Sequence, residues 1–199
     1  MSGLALTDSS LHIIYIPGLG DFYGPARKFF LRTWASTRYH RTVECIDVDW
    51  EGEPELPPKL RRIEAAIKIA ETQGKEVVLI GESAGAVLAL LTYASHPRLK
   101  RVVTLCGVSS PDIPLGPGVI KRASALPRAI ERLKKTRLPK TPGVMHSFRA
   151  YFDPVIAKEF SIAQGATEHV VPSSGHMPTI LFCLSGYSRK LLRIVVASS

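Results

Sequence analysis

The chain holds only three cysteines in 199 residues, Cys45, Cys106 and Cys183. They are too few and too scattered for a disulfide framework or a zinc cluster, and read as reduced, buried side chains. No apolar run approaches the ~18–20 residues that a membrane span requires. The opening stretch MSGLALTDSS has no basic start followed by an apolar core, so it does not read as a signal peptide. A soluble, cytoplasmic setting is the expectation. Internal repeats and low-complexity tracts are missing, and the six histidines have no metal-ligand spacing. No cofactor and no metal are expected.

What is present is an ordinary globular composition, 45% hydrophobic, in a chain of the length of one domain. The charge is unevenly spread. Residues 121–140 carry Lys121, Arg122, Arg128, Arg132, Lys134, Lys135, Arg137 and Lys140 against Glu131, a local charge of +7 out of a total of +9. Such a segment suits an acidic partner, an anionic substrate, peripheral contact with a membrane or a solvated helix face. It lacks the interleaved aromatics of a single-stranded nucleic-acid site, so no specific nucleic-acid partner is expected.

Short apolar runs alternate with helical patterns along the chain. Strands are predicted at Leu11–Ile16, Val43–Val48, Glu76–Ile80, Arg101–Cys106, Val144–Phe152 and Thr167–Val171. Helices are predicted from Pro25 to about Tyr39, over Lys59–Thr72, after Gly85, from about Val119 to Arg137, over Pro154–Ala163 and over Pro178–Ile194. Residues 107–118 are rich in proline and glycine and mark an irregular excursion. This alternation implies an open, mostly parallel six-stranded α/β sheet with helices on both faces. Ligands of such sheets bind at the carboxyl ends of the strands.

The third strand runs directly into Gly81-Glu82-Ser83-Ala84-Gly85 and an apolar helix. This is the G-x-S-x-G pattern of a nucleophile elbow, in which small residues relieve crowding around a serine held on a sharp strand-to-helix turn. Ser83 is therefore the candidate nucleophile, and Glu82 reads as the variable position of the motif. A rival reading concerns the loop after the first strand, where Gly18-x-Gly20-x-x-x-Gly24 is followed by Asp47 and Asp49 at the end of the next strand. That approaches a dinucleotide-binding fingerprint, with the third glycine one residue late.

On these residues the chain resembles the α/β-hydrolase superfamily over roughly residues 11–194, as a single domain. The resemblance implies a triad in the order serine, acid, histidine. Asp153, directly after the fifth strand in Phe152-Asp153-Pro154-Val155, fits the acid, with Asp112 as second choice. His176, in Ser174-Gly175-His176-Met177, fits the histidine, whereas His169 falls within a strand. The oxyanion donors implied are the backbone N–H of Ala84 and, from the loop Pro17-Gly18-Leu19-Gly20, that of Leu19. Residues 107–143 stand where related enzymes carry a lid. The two additional strands with which the fuller family core begins have no room in residues 1–10. The expected function is cleavage of an ester or thioester of a small-molecule acyl substrate through an acyl-enzyme on Ser83. The alternative is a binding protein on a hydrolase scaffold that uses its basic helix.

Overall fold

The computed structural model describes residues 11–20, 24–36 and 42–196; the expected helix beyond Ser36 lies outside them. In chain order the elements are β1 (Leu11–Ile16), α1 (Gly24–Ser36), β2 (Thr42–Cys45), α2 (Leu56–Thr72), β3 (Glu76–Glu82), α3 (Gly85–Ser95) and β4 (Arg101–Leu105). They continue with α4 (Pro117–Arg122), α5 (Ala125–Lys134), β5 (Met145–Phe152), α6 (Lys158–Ser161), β6 (Thr167–Ser174), α7 (His176–Leu184) and α8 (Ser188–Val196).

The six strands form one sheet in the order β2-β1-β3-β4-β5-β6, every pair parallel. Parallel strands need crossovers, and the crossovers place helices on both faces. Side chains alternate accordingly. Ile14 and Ile16 of β1 and Val77 and Leu79 of β3 enter one core with α2, α3 and α5. Leu11, Ile13, Tyr15, Val78 and Ile80 enter the other, with Leu31 and Trp34 of α1 and the apolar faces of α7 and α8. From β1 the chain passes outward to β2, then returns to lay β3 on the opposite side. This reversal opens a crevice at the carboxyl ends of β1 and β3.

The structure differs from the sequence reading where local chemistry competes with periodicity. The helix expected over Pro154–Ala163 shrinks to Lys158–Ser161, because Asp153 Oδ1 accepts the N–H groups of Val155 (2.8 Å) and Ile156 (3.1 Å) and holds residues 153–156 in a turn. The single helix expected from about Val119 to Arg137 breaks at Ala123–Ser124 into α4 and α5. The last helix divides at 185–187, where Gly186 lies so close to Phe182 that a Cβ would sit 2.7 Å from its ring. The second strand stops at Cys45 rather than Val48, ahead of Asp49, which has φ 45°.

The basic segment is only partly free. Arg122 pairs with Glu51 at 2.6 Å, Arg128 with Glu55 at 2.6 Å and Lys135 with Glu131 at 3.0 Å. All three pairs are exposed, where such contacts contribute little to stability. The buried face of α5 does the anchoring, with Leu126, Ala129, Ile130 and Leu133 in the core shared with α2 and α3.

Two histidines join β5 to the edge strand β6. His146 Nδ1 lies 3.1 Å from His169 Nε2, His146 Nε2 lies 3.0 Å from the Gly143 carbonyl, and His169 stacks on Phe148 at 4.4 Å. For both contacts to be hydrogen bonds, His146 must donate from Nε2 to Gly143 and accept on Nδ1 from His169. Burial lowers the pKa of both rings below the ordinary histidine value, with His169 and Arg101 adding to the effect on His146, and Lys190 to that on His169. The pair therefore contributes stability that is complete above the unfolded value of ~6.5 and is lost as pH falls through the lower folded values. Urea midpoints should drop between about pH 7.5 and 5.5, and His169→Gln should flatten that drop. An equal drop in the variant would assign the acid sensitivity to other groups.

Candidate active site

β3 delivers Ser83 into a left-handed turn, φ 49°, ahead of α3. This conformation is costly for a residue with a Cβ and persists only when its surroundings over-determine it. Three backbone hydrogen bonds do so. The Ser83 N–H donates to Leu105 O (3.0 Å), and Ser83 O accepts from Ala86 (3.1 Å) and Val108 (2.9 Å). The turn also requires two close approaches. A Cβ on Gly85 would lie 2.2 Å from the Ile16 carbonyl, and one on Gly18 would lie 2.7 Å from Ser83 Cβ. The loop after β1 thus rests directly against the serine.

Asp153 and His176 come to the same point from the far side of the sheet. Gly175, with φ 90°, donates its N–H to Phe152 O at 2.8 Å, tying the turn before α7 to the end of β5. His176 is the first residue of α7 rather than part of a free loop, and is 7% exposed. Its Nδ1 lies 2.8 Å from Asp153 Oδ2, and its Nε2 lies 2.9 Å from Ser83 Oγ. With the proton on Nδ1, the ring donates to the carboxylate and accepts from the serine hydroxyl. Burial pushes the Asp153 carboxyl upward, but the hydrogen bond from His176 and those from the Ile156 and Val155 amides outweigh it. Its net pKa is below the usual carboxylate value.

The other candidates fall elsewhere. Asp112 is exposed in the excursion after β4, and His169 is engaged with His146 and Phe148 on β6. Ala84, at the start of α3, is 2% exposed. Leu19 lies half-buried in the loop after β1, packed against the core shared with α2 and α3. A cleft of about 730 Å³ begins at Pro17, Gly18 and Gly20 and runs along residues 45–51 toward α4. Charges of both signs line it, including Arg27, Asp47, Asp49 and Arg122, with Trp50 as its large apolar wall. Among the described residues one cluster of possible metal-ligating groups brings three of them together, Cys106, Asp153 and His176.

Glu82 is the residue whose role the sequence hides. It is 1% exposed, and its carboxylate receives Arg27 Nε and Nη2, each at 2.9 Å, as well as the Tyr15 hydroxyl. Burial, the negative charge of Glu82 and its hydrogen bond push the Tyr15 phenol well above its ordinary pKa. An acidic motif position and an arginine 55 residues before it carry no spacing signal, so only the fold could pair them. Breaking such a buried pair by removing one partner leaves the other charge stranded. Glu82→Gln should therefore destabilise the protein by about 3–5 kcal/mol, and Tyr15→Phe by about 1–2 kcal/mol, in urea unfolding. A Glu82→Gln variant as stable as the native chain would refute this account of the ion pair.

No protein-family model matches the sequence, and the comparison with curated proteins finds no match. Solved structures do match. An α/β hydrolase from a sediment metagenome of the Mar Chica lagoon, Morocco, superimposes with a TM-score of 0.66 at 15% identity, over 92% of this chain and 90% of that one. The esterase domain of a Rhodothermus marinus protein gives 0.63 at 15% identity, over 96% and 89%. The RedJ thioesterase of prodiginine biosynthesis in Streptomyces coelicolor gives 0.58 at 17% identity, over 94% and 89%. With its all-parallel sheet and the order β2-β1-β3-β4-β5-β6, this chain has the α/β-hydrolase fold.

Proposed function

We propose that the protein is a serine hydrolase that cleaves an ester or thioester through an acyl-enzyme on Ser83. The observation that carries the reading is the hydrogen-bonded chain from Ser83 Oγ to His176 Nε2 at 2.9 Å and from His176 Nδ1 to Asp153 Oδ2 at 2.8 Å. His176 takes the serine proton as Oγ attacks the acyl carbonyl, and returns it to the leaving group. Asp153 fixes the Nδ1–H tautomer and stabilises the imidazolium as it forms. Its lowered pKa keeps it ionised for this task at neutral pH. The tetrahedral oxyanion is received by the N–H groups of Ala84 and Leu19, the latter on the loop that Gly18 presses against Ser83. The resemblance to an esterase domain and a thioesterase favours acyl transfer to water over other chemistries of the fold.

The acyl or leaving group occupies the cleft beside Gly18 and Gly20. Its mixed charges suit a small polar substrate. Arg122, the last residue of α4, brings the middle of residues 107–143 to that cleft and gives the segment a part in shaping it, whereas α5 serves the core. The remaining cations of residues 121–140 offer an anionic surface or substrate a place to rest.

An organophosphonate probe should label the native chain and not Ser83→Ala. Ser83→Ala and His176→Ala should each retain at most ~10⁻³ of the turnover of a small p-nitrophenyl ester, since such residues act as a unit. A silent native chain would favour a binding role on a hydrolase scaffold. Asp153→Asn should lower turnover by roughly 10⁴ through the wrong imidazole tautomer, while Asp112→Asn leaves it near native. The reverse ranking would move the acid to Asp112.

A further inference from the structure

Beside the acid–histidine contact lies a thiol that acyl transfer does not use. Cys106 follows β4 in a left-handed conformation, φ 44°, and is 1% exposed. Its Sγ, a carboxylate oxygen of Asp153 and a ring nitrogen of His176 all lie within 4.8 Å of one another. Three strand ends thus bring one sulfur, one nitrogen and one oxygen to a single point. This is the donor set of zinc, which binds them at about 2.3, 2.0–2.1 and 2.0–2.2 Å in a tetrahedron. The edges of such a tetrahedron are roughly 3.3–3.6 Å, so side-chain shifts of about an ångström would close the three donors onto one ion, with water as fourth ligand. Calcium and magnesium demand six or more ligands, predominantly oxygen, and do not fit.

We propose that Cys106, Asp153 and His176 form an inhibitory site for a thiophilic divalent cation, zinc above all, which silences the hydrolase by seizing its acid–histidine pair. The inference rests on the serine-hydrolase reading for its effect on activity, but not for binding itself. Nδ1, which already faces Asp153 at 2.8 Å, is the nitrogen the ion takes. As the Zn–S bond forms, the thiol proton leaves to solvent. The imidazole stays neutral by carrying its remaining proton on Nε2. Nε2–H then faces Ser83 Oγ and can only donate to it, so the general base is gone while the serine is untouched. One proton is released for each ion bound, and nothing is oxidised or reduced. The thiolate and carboxylate together neutralise the two charges of the ion, which favours it in so buried a place. Of the three residues, Asp153 lines a small recess of about 180 Å³ together with Ala150 and Ile156.

The test has two arms, both free of chelators and added thiols. In the first, ester hydrolysis is titrated with zinc chloride, with magnesium and calcium chloride as controls, and each protein is compared with its own metal-free rate. Native activity should fall and return with EDTA, and Cys106→Ser and Cys106→Ala should each need roughly 100-fold more zinc for half-inhibition. A shift below about threefold in both variants would overturn the proposal, since zinc would then act without the thiol. The second arm needs no turnover. Cadmium is added to Ser83→Ala protein that also carries Cys45→Ser, which removes the exposed thiol. A thiolate-to-cadmium ultraviolet band should saturate at one equivalent and vanish when Cys106→Ser is added. If no band appears, or it survives that change, the site is refuted. If the band behaves as expected in a chain without esterase activity, the metal site stands and the hydrolase reading alone has failed.

Discussion

The structure turns on one crowded junction, where the strand-to-helix turn at Ser83 meets the loop that leaves β1. A left-handed serine costs of order 1–3 kcal/mol and needs its neighbours to hold it. Here they do so by contact rather than by flexibility. Gly85 lets the first turn of α3 come against the Ile16 carbonyl, and Gly18 lets the loop lie on Ser83 itself. Side chains at either place would separate the two segments. The parallel topology explains why they meet, for β1 and β3 are neighbours whose crossovers depart to opposite sides, leaving both carboxyl ends exposed to one crevice.

Glu82 ties the same junction to a third element. Its carboxylate stands immediately before Ser83 and is held by Arg27, in the opening turns of α1, and by Tyr15, near the end of β1. The loop after β1 is therefore bracketed. It begins beyond Tyr15 and ends ahead of Arg27, and both bracketing residues are bound to Glu82, the residue preceding Ser83. Desolvating a carboxylate and a guanidinium is expensive, and a well-packed apolar pair would serve stability as well. The cost is reasonable if the purpose is to fix the relative position of two backbone segments, which a directional, three-pronged contact does better than apolar packing.

Much of this was legible in the sequence because it depends on local pattern. The six strands and the elbow at Gly81–Gly85 follow from short apolar runs stopped by turn residues, whereas Asp153 and His176 stand out only through the family resemblance that the elbow carries. The hidden part depends on side chains competing with local propensity or pairing across long separations. Asp153 captures the amides of Val155 and Ile156 and so cancels most of a helix that the residue pattern favours. Gly186 against Phe182 divides the final helix, since the glycine is required by a tertiary contact and not by a recognisable turn motif. Glu82 and Arg27 are 55 residues apart, and Cys106 reaches Asp153 and His176 only because β4 and β5 are neighbours.

The capture of amides by Asp153 also bears on how the acid is held. One carboxylate oxygen is committed to the turn that follows β5, and only the other faces His176. The Gly175 N–H bond to Phe152 brings the histidine turn onto the same strand end. The orientation of the imidazole is thereby set by backbone groups of β5 and its turn, not by the side chain of Asp153 alone. Two consequences follow from one geometry. The amides lower the acid's pKa and keep it charged, and they also prevent it from turning away from the ring. A carboxylate fixed so firmly at one oxygen aims the histidine at a serine that is itself immobilised from the opposite side. The distance between Nε2 and Oγ is then a property of the sheet, set by the spacing of β3, β4 and β5, rather than of any one loop.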